Sequence, residues 1–203
     1  MLPSVAPQAP FRVLLVCTAN QFRSPLAEHL LRKSITDLGL GWTIVSAGTQ
    51  ARPGLPINAW AGTYLRRRGI VPDGWMSRRI QPDLVRWADL ILVAEESHRR
   101  VVVTADPSAI RRTFLLLQFA RYAGHLRRGG LARAEQAGAA LLASVLVVRS
   151  QLQPAPAHLD ELPDPFRRRL AAQRRCAHRI LQAITDINDS LAPEEEAASA
   201  AGR

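Results

Sequence analysis

The sequence contains very few cysteines. Cys17 and Cys176 are the only two among 203 residues, and neither belongs to a C-x-x-C pair or a cysteine–histidine cluster. This scarcity excludes a disulfide framework and the common zinc-binding patterns. It is typical of proteins that work in a reducing compartment, so we expect a cytoplasmic location.

Long apolar runs are also missing. The longest uncharged one, AGAALLASVLVV at residues 137–148, is too short to span a bilayer. The first ten residues contain three prolines and no basic residue, unlike a secretory signal. We therefore expect no membrane partner, and we predict a disordered leader at residues 1–10.

Lysine and aromatic residues are scarce, whereas arginine is abundant. One lysine stands against 26 arginines, the net charge is +10, and aromatic residues make up 5% of the chain. A basic protein invites a nucleic-acid interpretation. However, the arginines are spread over many segments, and no aromatic side chains alternate with them as a base-stacking surface requires. We predict no nucleic-acid partner but an attraction for acidic or phosphorylated ones.

The apolar pattern predicts an α/β fold with a parallel sheet. FRVLLVC at 11–17 is a continuous run rich in branched residues, typical of a strand buried on both faces. The following SPLAEHLLRKSITDLG has helical periodicity, with Ser24 as N-cap and Gly39 as the stop. Three more strands, separated by helices, are predicted at WTIVSAG, DLILVAE and RTFLLL.

The rest of the sequence completes a single predicted domain over residues 11–190. Residues 118–150 are expected to form one or two helices rich in Ala, Leu and Arg, which we interpret as a helical insertion. A proline-rich loop follows, and 167–190 form a closing amphipathic helix. The polar segment 191–203 is predicted to be a disordered tail.

The junction between the first strand and the first helix carries the strongest functional signal. Cys17 ends the strand, and Arg23 and Ser24 open the helix. A helix N-terminus is an anion-binding site because its first backbone N–H groups have no partner within the helix. The backbone amides that can hold phosphate oxygens belong to Thr18, Ala19, Asn20, Gln21, Phe22 and Arg23. The Arg23 guanidinium can add two parallel donors.

The same electrostatic field acts on the cysteine. The thiolate is the nucleophilic form, and a helix N-terminus and an arginine both favour it over the thiol. Ser24 can donate a hydrogen bond to the sulfur, and Asn20 tolerates the left-handed backbone that so tight a loop needs. The loop thus combines a nucleophile with an oxyanion cradle. The alternative is a buried cysteine before an ordinary strand–helix turn.

These residues also carry a family resemblance. VCTANQFRSPLAE at 16–28 closely resembles the signature loop of the low-molecular-weight protein tyrosine phosphatase family, commonly V-C-x-G-N-x-C-R-S-P-x-A-E. SAGT at 46–49, ADLILVAEE at 88–96 and LPDPF at 162–166 resemble later motifs of the family, in the same order. The resemblance covers most of residues 12–190 and is of the bacterial type, with an enlarged C-terminal helical segment.

This resemblance implies a fold and a reaction. The fold is a three-layer α/β/α sandwich around a central four-stranded parallel sheet, with the phosphate-binding loop after the first strand. Cys17 attacks phosphorus and forms a phosphocysteine, while Arg23 binds the phosphoryl group. Asp164 protonates the leaving oxygen and later takes a proton from water. No metal or cofactor is required.

The resemblance also implies supporting roles. Ser46 braces Asn20, Ser24 and the loop amides bind the substrate phosphate, and Phe166 is a wall for the substrate ring. On spacing alone, the aspartate of LPDPF is better explained by an ordinary Asp-Pro turn. Phe166 could equally be a core contact. Asp160 is the second candidate acid.

Several positions depart from the family pattern. Ala19 replaces a loop glycine, and Gln21 is polar where an apolar residue is common. Phe22 replaces a second cysteine that can form a protective disulfide with the nucleophile, so we expect this protection to be missing. We interpret Cys176 as a buried small hydrophobe. His98, followed by two arginines, is predicted to lie at the surface.

The leading hypothesis is a cysteine-dependent protein-tyrosine phosphatase that acts on phosphotyrosine-containing proteins and binds inorganic phosphate or a similar oxyanion. A thiol-dependent arsenate reductase and a phosphoarginine phosphatase are enzymatic alternatives that use the same loop. A non-catalytic phosphate-binding regulatory module is the alternative of another class. Cys17, Arg23 and Asp164 together favour an enzyme, because a binding module has little need for a proton donor.

Overall fold

A parallel four-stranded sheet lies at the centre of the protein. The computed structural model describes residues 9–126, 136–153, 155–165 and 170–192. The strands in chain order are β1 (Arg12–Cys17), β2 (Thr43–Gly48), β3 (Leu90–Val93) and β4 (Thr113–Leu115). Their spatial order is β2-β1-β3-β4. All three neighbouring pairs are parallel, which confirms the prediction from the apolar pattern.

Helices connect the strands and cover both faces of the sheet. In the described residues they are α1 (Arg23–Asp37), α2 (Ala59–Arg66), α3 (Pro82–Trp87), α4 (Glu96–Ala105), α5 (Leu116–Ala123), α6 (Ala137–Gln151), α7 (Ala157–Asp160) and α8 (Leu170–Leu191). A 3-10 helix at Pro107–Arg112 precedes β4. Because α1, α4 and α5 each follow a strand, their N-termini gather at the carboxyl edge of the sheet.

The side chains of β1 alternate between two buried layers. Val13, Leu15 and Cys17 share an apolar cluster with α1, α5 and α8, whereas Leu14 and Val16 share a second cluster with α3 and α4. The strand reads as a continuous apolar run because both of its faces are covered. The result is the three-layer α/β/α architecture that the family resemblance implied.

The connections of the sheet reverse direction at the carboxyl end of β1. The chain leaves β1 for β2 on one side and returns to β3 on the other side. Ligands of open α/β sheets bind in the crevice beyond such a switch point. The topology therefore places Cys17 and the N-terminus of α1 at the expected position of a binding site.

Two local predictions differ from the structure. α1 begins at Arg23 with no side-chain cap hydrogen bond, so the prediction of Ser24 as N-cap was wrong. The Ser24 hydroxyl contacts the Cys17 sulfur instead. β4 ends at Leu115, earlier than predicted, because Leu116 already begins α5.

The segment predicted as a helical insertion packs on the rest of the domain where the structure describes it. Leu141 and Val145 of α6 are buried in the same cluster as α5 and α8. Gly138 lies directly under the Phe11 ring, since a Cβ there would come within 2.3 Å of it. In the described residues, no helix has the length and apolarity that a bilayer crossing requires.

Some predictions concern residues that the structure does not describe. The leader predicted at 1–10 and the tail predicted at 191–203 lie outside the described residues, apart from residues 9, 10, 191 and 192. Phe166, the predicted wall for a substrate ring, also lies outside them.

Candidate active site

Residues 17–24, here called the phosphate loop, wrap around the Cys17 sulfur. Cys17 is 2% exposed, its Sγ accepts the backbone N–H of Asn20 at 3.3 Å, and Ser24 Oγ lies 3.0 Å from it. Asn20 has φ +52°, the left-handed conformation that the loop was expected to need. Two polar groups of the loop thus lie against the sulfur.

The Asn20 side chain donates a hydrogen bond to the Ser24 hydroxyl. Asn20 Oδ1 accepts the backbone N–H of Arg78 at 2.8 Å, so its Nδ2 is the atom that faces two serines. Nδ2 donates to Ser24 Oγ at 2.9 Å and to Ser46 Oγ at 2.7 Å. Ser24 Oγ accepts this bond, and its own hydrogen can go to the Cys17 sulfur at 3.0 Å or to the Ala47 carbonyl at 3.4 Å. The structure thus brings Ser46, Asn20, Ser24 and Cys17 into one network.

A buried carboxylate ends this network on the side of α1. Glu28 Oε2 accepts the Ser46 hydroxyl at 2.5 Å and the Trp75 indole N–H at 3.0 Å. Arg32 forms an ion pair with Glu28 Oε1. The phosphate loop is therefore braced by β2, by α1 and by the segment around Trp75.

Gly48, the last residue of β2, lies directly beneath the phosphate loop. A Cβ there would stand 2.5 Å from the carbonyl oxygen of Thr18 and 2.8 Å from the nitrogen of Asn20. Both atoms belong to the backbone, so no side-chain movement could relieve the contact. The close approach of loop and strand requires glycine at this position.

Arg23 connects the phosphate loop to two other segments. Its Nη1 donates to the carbonyl of Leu162 at 2.9 Å and lies 3.0 Å from Glu95 Oε2. Its Nη2 donates to Thr18 Oγ1 at 3.0 Å and lies 3.3 Å from Asp164 Oδ2. One guanidinium thus meets the phosphate loop, the end of β3 and the segment that carries the predicted acid.

The Arg23 guanidinium keeps its positive charge although the residue is only 2% exposed. Burial lowers the pKa of Arg23, but the charges of Cys17, Asp164 and Glu95 more than offset it, so the pKa lies above its ordinary value. Arg23 therefore remains a cation beside the sulfur throughout the accessible pH range.

Asp164 lies at the mouth of the site on residues 161–165, here called the acid loop. Its side chain is 44% exposed. The loop is anchored by the backbone N–H of Leu162, which donates to the carbonyl of Ala94 at 2.8 Å. Arg179 of α8 donates to the carbonyl of Glu161 at 2.8 Å. These anchors keep an accessible carboxyl group above Arg23.

Asp160 cannot serve as the second candidate acid. It is buried, and both of its oxygens accept bonds from Arg121 of α5, at 3.2 and 2.8 Å. This bidentate ion pair fixes α7, which immediately precedes the acid loop, to the core of the domain. Asp160 therefore supports the position of Asp164 and does not face the site.

The sequence interpretation missed two residues near the site, Glu95 and His98. His98 is 2% exposed, so the prediction that it lies at the surface was wrong. It lies in the first turn of α4, where the Glu95 backbone N–H donates to its Nδ1 at 3.1 Å as part of a capping box. An acidic residue three positions before a histidine, directly after a buried strand, is the signal that could have revealed this turn.

The departures from the family pattern have structural explanations. Ala19 is half-buried with ordinary backbone angles, since Asn20 is the one non-glycine residue in the described ranges with positive φ. Gln21 is half-buried and its Nε2 donates to the carbonyl of Pro56 at 3.3 Å. Phe22 is buried and stacks on Trp60, with ring centroids 5.6 Å apart. Because the Phe22 side chain packs in the core, Phe22 can contact a phosphate through its backbone amide but not through its side chain.

The two cysteines differ in chemical character. Neither is part of a disulfide. Burial raises the pKa of Cys176 to about 12, so at neutral pH this side chain is a neutral thiol packed in the core. Cys17, by contrast, has donors aimed at its sulfur and Arg23 nearby. In this arrangement, Cys17 can attack the central atom of a tetrahedral oxyanion. The loop amides and Arg23 can hold its oxygens, and Asp164 can protonate a departing group.

Comparisons with known proteins are consistent with this geometry. The model of the family described as low molecular weight phosphotyrosine protein phosphatase matches residues 12–129. The chain is 33% identical over 110 residues to the protein-arginine-phosphatase of Geobacillus stearothermophilus, a match that covers 54% of this chain and 72% of the relative. It is also 33% identical over 107 residues to the low molecular weight protein-tyrosine-phosphatase Etp of Escherichia coli K12, covering 53% and 70%.

Solved structures share the fold. The YwlE arginine phosphatase from Geobacillus stearothermophilus superposes with a TM-score of 0.64 at 22% identity, covering 96% of this chain and 98% of that one. The tyrosine phosphatase Wzb from Escherichia coli K30, solved with sulphate, superposes with a TM-score of 0.63 at 24% identity, covering 90% and 99%. At these identities the likeness is one of fold.

Proposed function

Because this chain belongs to the low molecular weight phosphotyrosine protein phosphatase family, it is a cysteine-dependent phosphatase, and we propose that it hydrolyses phosphotyrosine in proteins. The proposal is carried by one observation. The Cys17 sulfur lies at the base of a loop where the Asn20 amide and the Ser24 hydroxyl contact it and Arg23 closes the rim. Such a site binds a phosphate and activates a nucleophile at once.

In the first step, the Cys17 thiolate attacks phosphorus in line with the bond to the tyrosine oxygen. A sulfur–phosphorus bond forms as the phosphorus–oxygen bond breaks, and Asp164 gives its proton to the leaving phenolate oxygen. The loop amides and Arg23 hold the three non-bridging oxygens, where charge is greatest in the transition state. The exposed position of Asp164 at the mouth suits a group that must reach the leaving oxygen.

In the second step, water attacks phosphorus and the sulfur departs as thiolate. The Asp164 carboxylate takes the proton of that water, which restores the acid for the next cycle. The Ser24 hydroxyl, 3.0 Å from the sulfur, can donate to the departing thiolate and stabilise it. Inorganic phosphate then leaves the loop, and the enzyme returns to its starting state.

Phosphoarginine is the second candidate substrate. One relative bears the name protein-arginine-phosphatase. In this chain, the polar Gln21 in the rim of the loop supports phosphoarginine as a substrate, because an amide can bond to a guanidino group.

The proposal includes the cytoplasmic location that was predicted from the scarcity of cysteine.

Arsenate reduction and binding without turnover are the competing proposals. A reductase that resolves its intermediate internally needs a second reactive thiol, and burial holds the pKa of Cys176 at about 12. A reductase on this chain would therefore consume an external thiol. A binding module would retain phosphate without releasing product.

The test is hydrolysis of phosphotyrosine and phosphoarginine peptides by the wild type, Cys17→Ser and Asp164→Asn. We expect no turnover in Cys17→Ser and a loss of roughly 10²- to 10⁴-fold in kcat for Asp164→Asn on phosphotyrosine. The second loss should shrink for an aryl phosphate whose phenol is a good leaving group. Asp37→Asn is the matched control, because Asp37 pairs with Lys33 at the opposite end of α1 from Arg23, and it should keep the leaving-group dependence of the wild type. Turnover by Cys17→Ser would contradict the proposal.

A further inference from the structure

The Thr18 hydroxyl lies where the phosphate loop, α4 and the acid loop meet. Thr18 Oγ1 is 2.9 Å from His98 Nε2 and 3.0 Å from Arg23 Nη2. The same Arg23 nitrogen is 3.3 Å from Asp164 Oδ2. The hydroxyl therefore belongs to the side of the loop on which the proposed acid acts.

The hydrogen bond to Glu95 determines which ring nitrogen of His98 carries the hydrogen. His98 Nδ1 lies 3.1 Å from the backbone N–H of Glu95, which can only donate. Nδ1 therefore accepts, and the single hydrogen of the neutral ring is on Nε2. Burial and the charge of Arg23 lower the pKa of His98 to about 4, against a smaller opposing effect of Asp164. The ring is thus neutral near pH 7, and Nε2 donates to Thr18.

Because of these two donors, the Thr18 hydroxyl can interact with a further group only by donating its hydrogen. Arg23 also can only donate, so Thr18 Oγ1 accepts two hydrogen bonds and both of its lone pairs are occupied. Its own hydrogen is confined to the remaining tetrahedral direction. A hydroxyl that would otherwise rotate is thereby fixed as a donor.

We propose that His98 is a positioning residue that holds the Thr18 hydroxyl as an additional donor to the phosphoryl oxygen nearest the acid loop. This inference rests on the proposed phosphatase function and assigns it a donor beyond the loop amides and Arg23. A donor that is oriented before the reaction stabilises developing charge without reorganising in the transition state. Thr18 then touches the substrate, whereas His98 acts only through Thr18.

A purely structural role for His98 is the alternative. Its Nδ1 completes the capping box of α4, so removing the ring also leaves the Glu95 N–H without that acceptor. Two substitutions separate the roles because amides mimic the two ring nitrogens separately. His98→Asn can retain an acceptor for the Glu95 N–H but is too short to reach Thr18. His98→Gln can place an amide N–H near the position of Nε2.

The experiment measures kcat and KM on a phosphotyrosine peptide and the Kd of inorganic phosphate. The variants are Thr18→Val, His98→Asn, His98→Gln and the double variant Thr18→Val/His98→Asn. We expect Thr18→Val and His98→Asn each to lower kcat by about tenfold and to weaken phosphate binding severalfold, as for one lost charge-assisted donor. His98→Gln should stay within about threefold of the wild type. In the Thr18→Val background, His98→Asn should cost no more than about twofold further.

The double variant decides the outcome. If His98→Asn reduces kcat equally in both Thr18 backgrounds, or leaves kcat and phosphate affinity unchanged, the inference is overturned. If both His98 variants lose activity in proportion to a lowered Tm, the role is structural and the inference again fails. Failure of the proposed function has a different signature, because wild-type turnover would be lacking. The coupling between Thr18 and His98 would then be read from phosphate affinity alone.

Discussion

The phosphate loop and the acid loop differ in how far along the chain the contacts at their reactive groups reach. In the phosphate loop, the groups that contact the Cys17 sulfur come from residues three and seven positions along the chain. In the acid loop, the Leu162 carbonyl bonds to Arg23, 139 positions away, and the preceding Asp160 bonds to Arg121, 39 positions away. The difference shows that the nucleophile is built by local sequence, whereas the acid is brought to it by tertiary packing.

Arg23 joins the two loops, so changing it should have the largest effect. Lysine keeps the charge but cannot meet Thr18, Glu95, Leu162 and Asp164 from one planar group. We expect Arg23→Lys to lower kcat by on the order of 10³-fold, as a combined loss of oxyanion stabilisation and acid positioning. Steady-state kinetics on a phosphotyrosine peptide measure the loss.

The matched control for this substitution is Arg12→Lys. Arg12 forms a bidentate ion pair with Asp89 at the start of β1, remote from Cys17 along the strand. Its replacement should leave kcat within about twofold of the wild type, since a half-exposed pair contributes little. Equal losses in the two variants would show that Arg23 has no special role in joining the loops.

Gly48→Ala should damage the phosphate loop and leave the acid loop intact. The new methyl would meet backbone atoms of Thr18 and Asn20 at 2.5 and 2.8 Å. We expect kcat/KM to fall by about ten- to a hundredfold and the free energy of unfolding by about 1–3 kcal/mol. Denaturant unfolding and phosphate titration measure the two effects. Gly62→Ala is the control, because its nearest contact is an Ile57 side-chain atom at 3.4 Å; similar damage there would refute the packing argument.

Arg121→Gln should loosen the acid loop without touching the phosphate loop. The substitution leaves the buried Asp160 carboxylate without its bidentate partner. We expect the free energy of unfolding to fall by about 2 kcal/mol and kcat to fall severalfold. The Kd of inorganic phosphate should stay unchanged. A phosphate affinity that falls as much as kcat would mean that the two loops are not independently supported.

The last prediction concerns the pH dependence of stability and not the activity. The folded-state pKa of His98, about 4, lies below its unfolded value, so the native state favours the neutral ring. The stabilisation is complete above about pH 6.5 and is lost as the pH falls toward 4. His98→Gln removes this contribution. Its free energy of unfolding should therefore decline less than that of the wild type between pH 7 and 4, and equal declines would contradict the assignment.

The same contrast explains how much the sequence could predict. The loop around Cys17 was recognisable because its chemistry lies within eight consecutive residues. The parallel sheet was predictable because strands buried on both faces have a continuous apolar signature. Glu95 and His98 were missed because they reach the site from the end of another strand, and SHRR reads as polar surface. Only the three-dimensional placement of α4 shows that its first turn faces Arg23.

The most direct test of the account is the covalent intermediate. The wild type is mixed with excess phosphotyrosine peptide, quenched within the first turnover and cut with trypsin, and the fragment 13–23 is weighed by mass spectrometry. The account predicts one phosphoryl group on Cys17 and none on the fragment that contains Cys176. Release of product with an unmodified Cys17, or a phosphoryl group on any other residue, would contradict it.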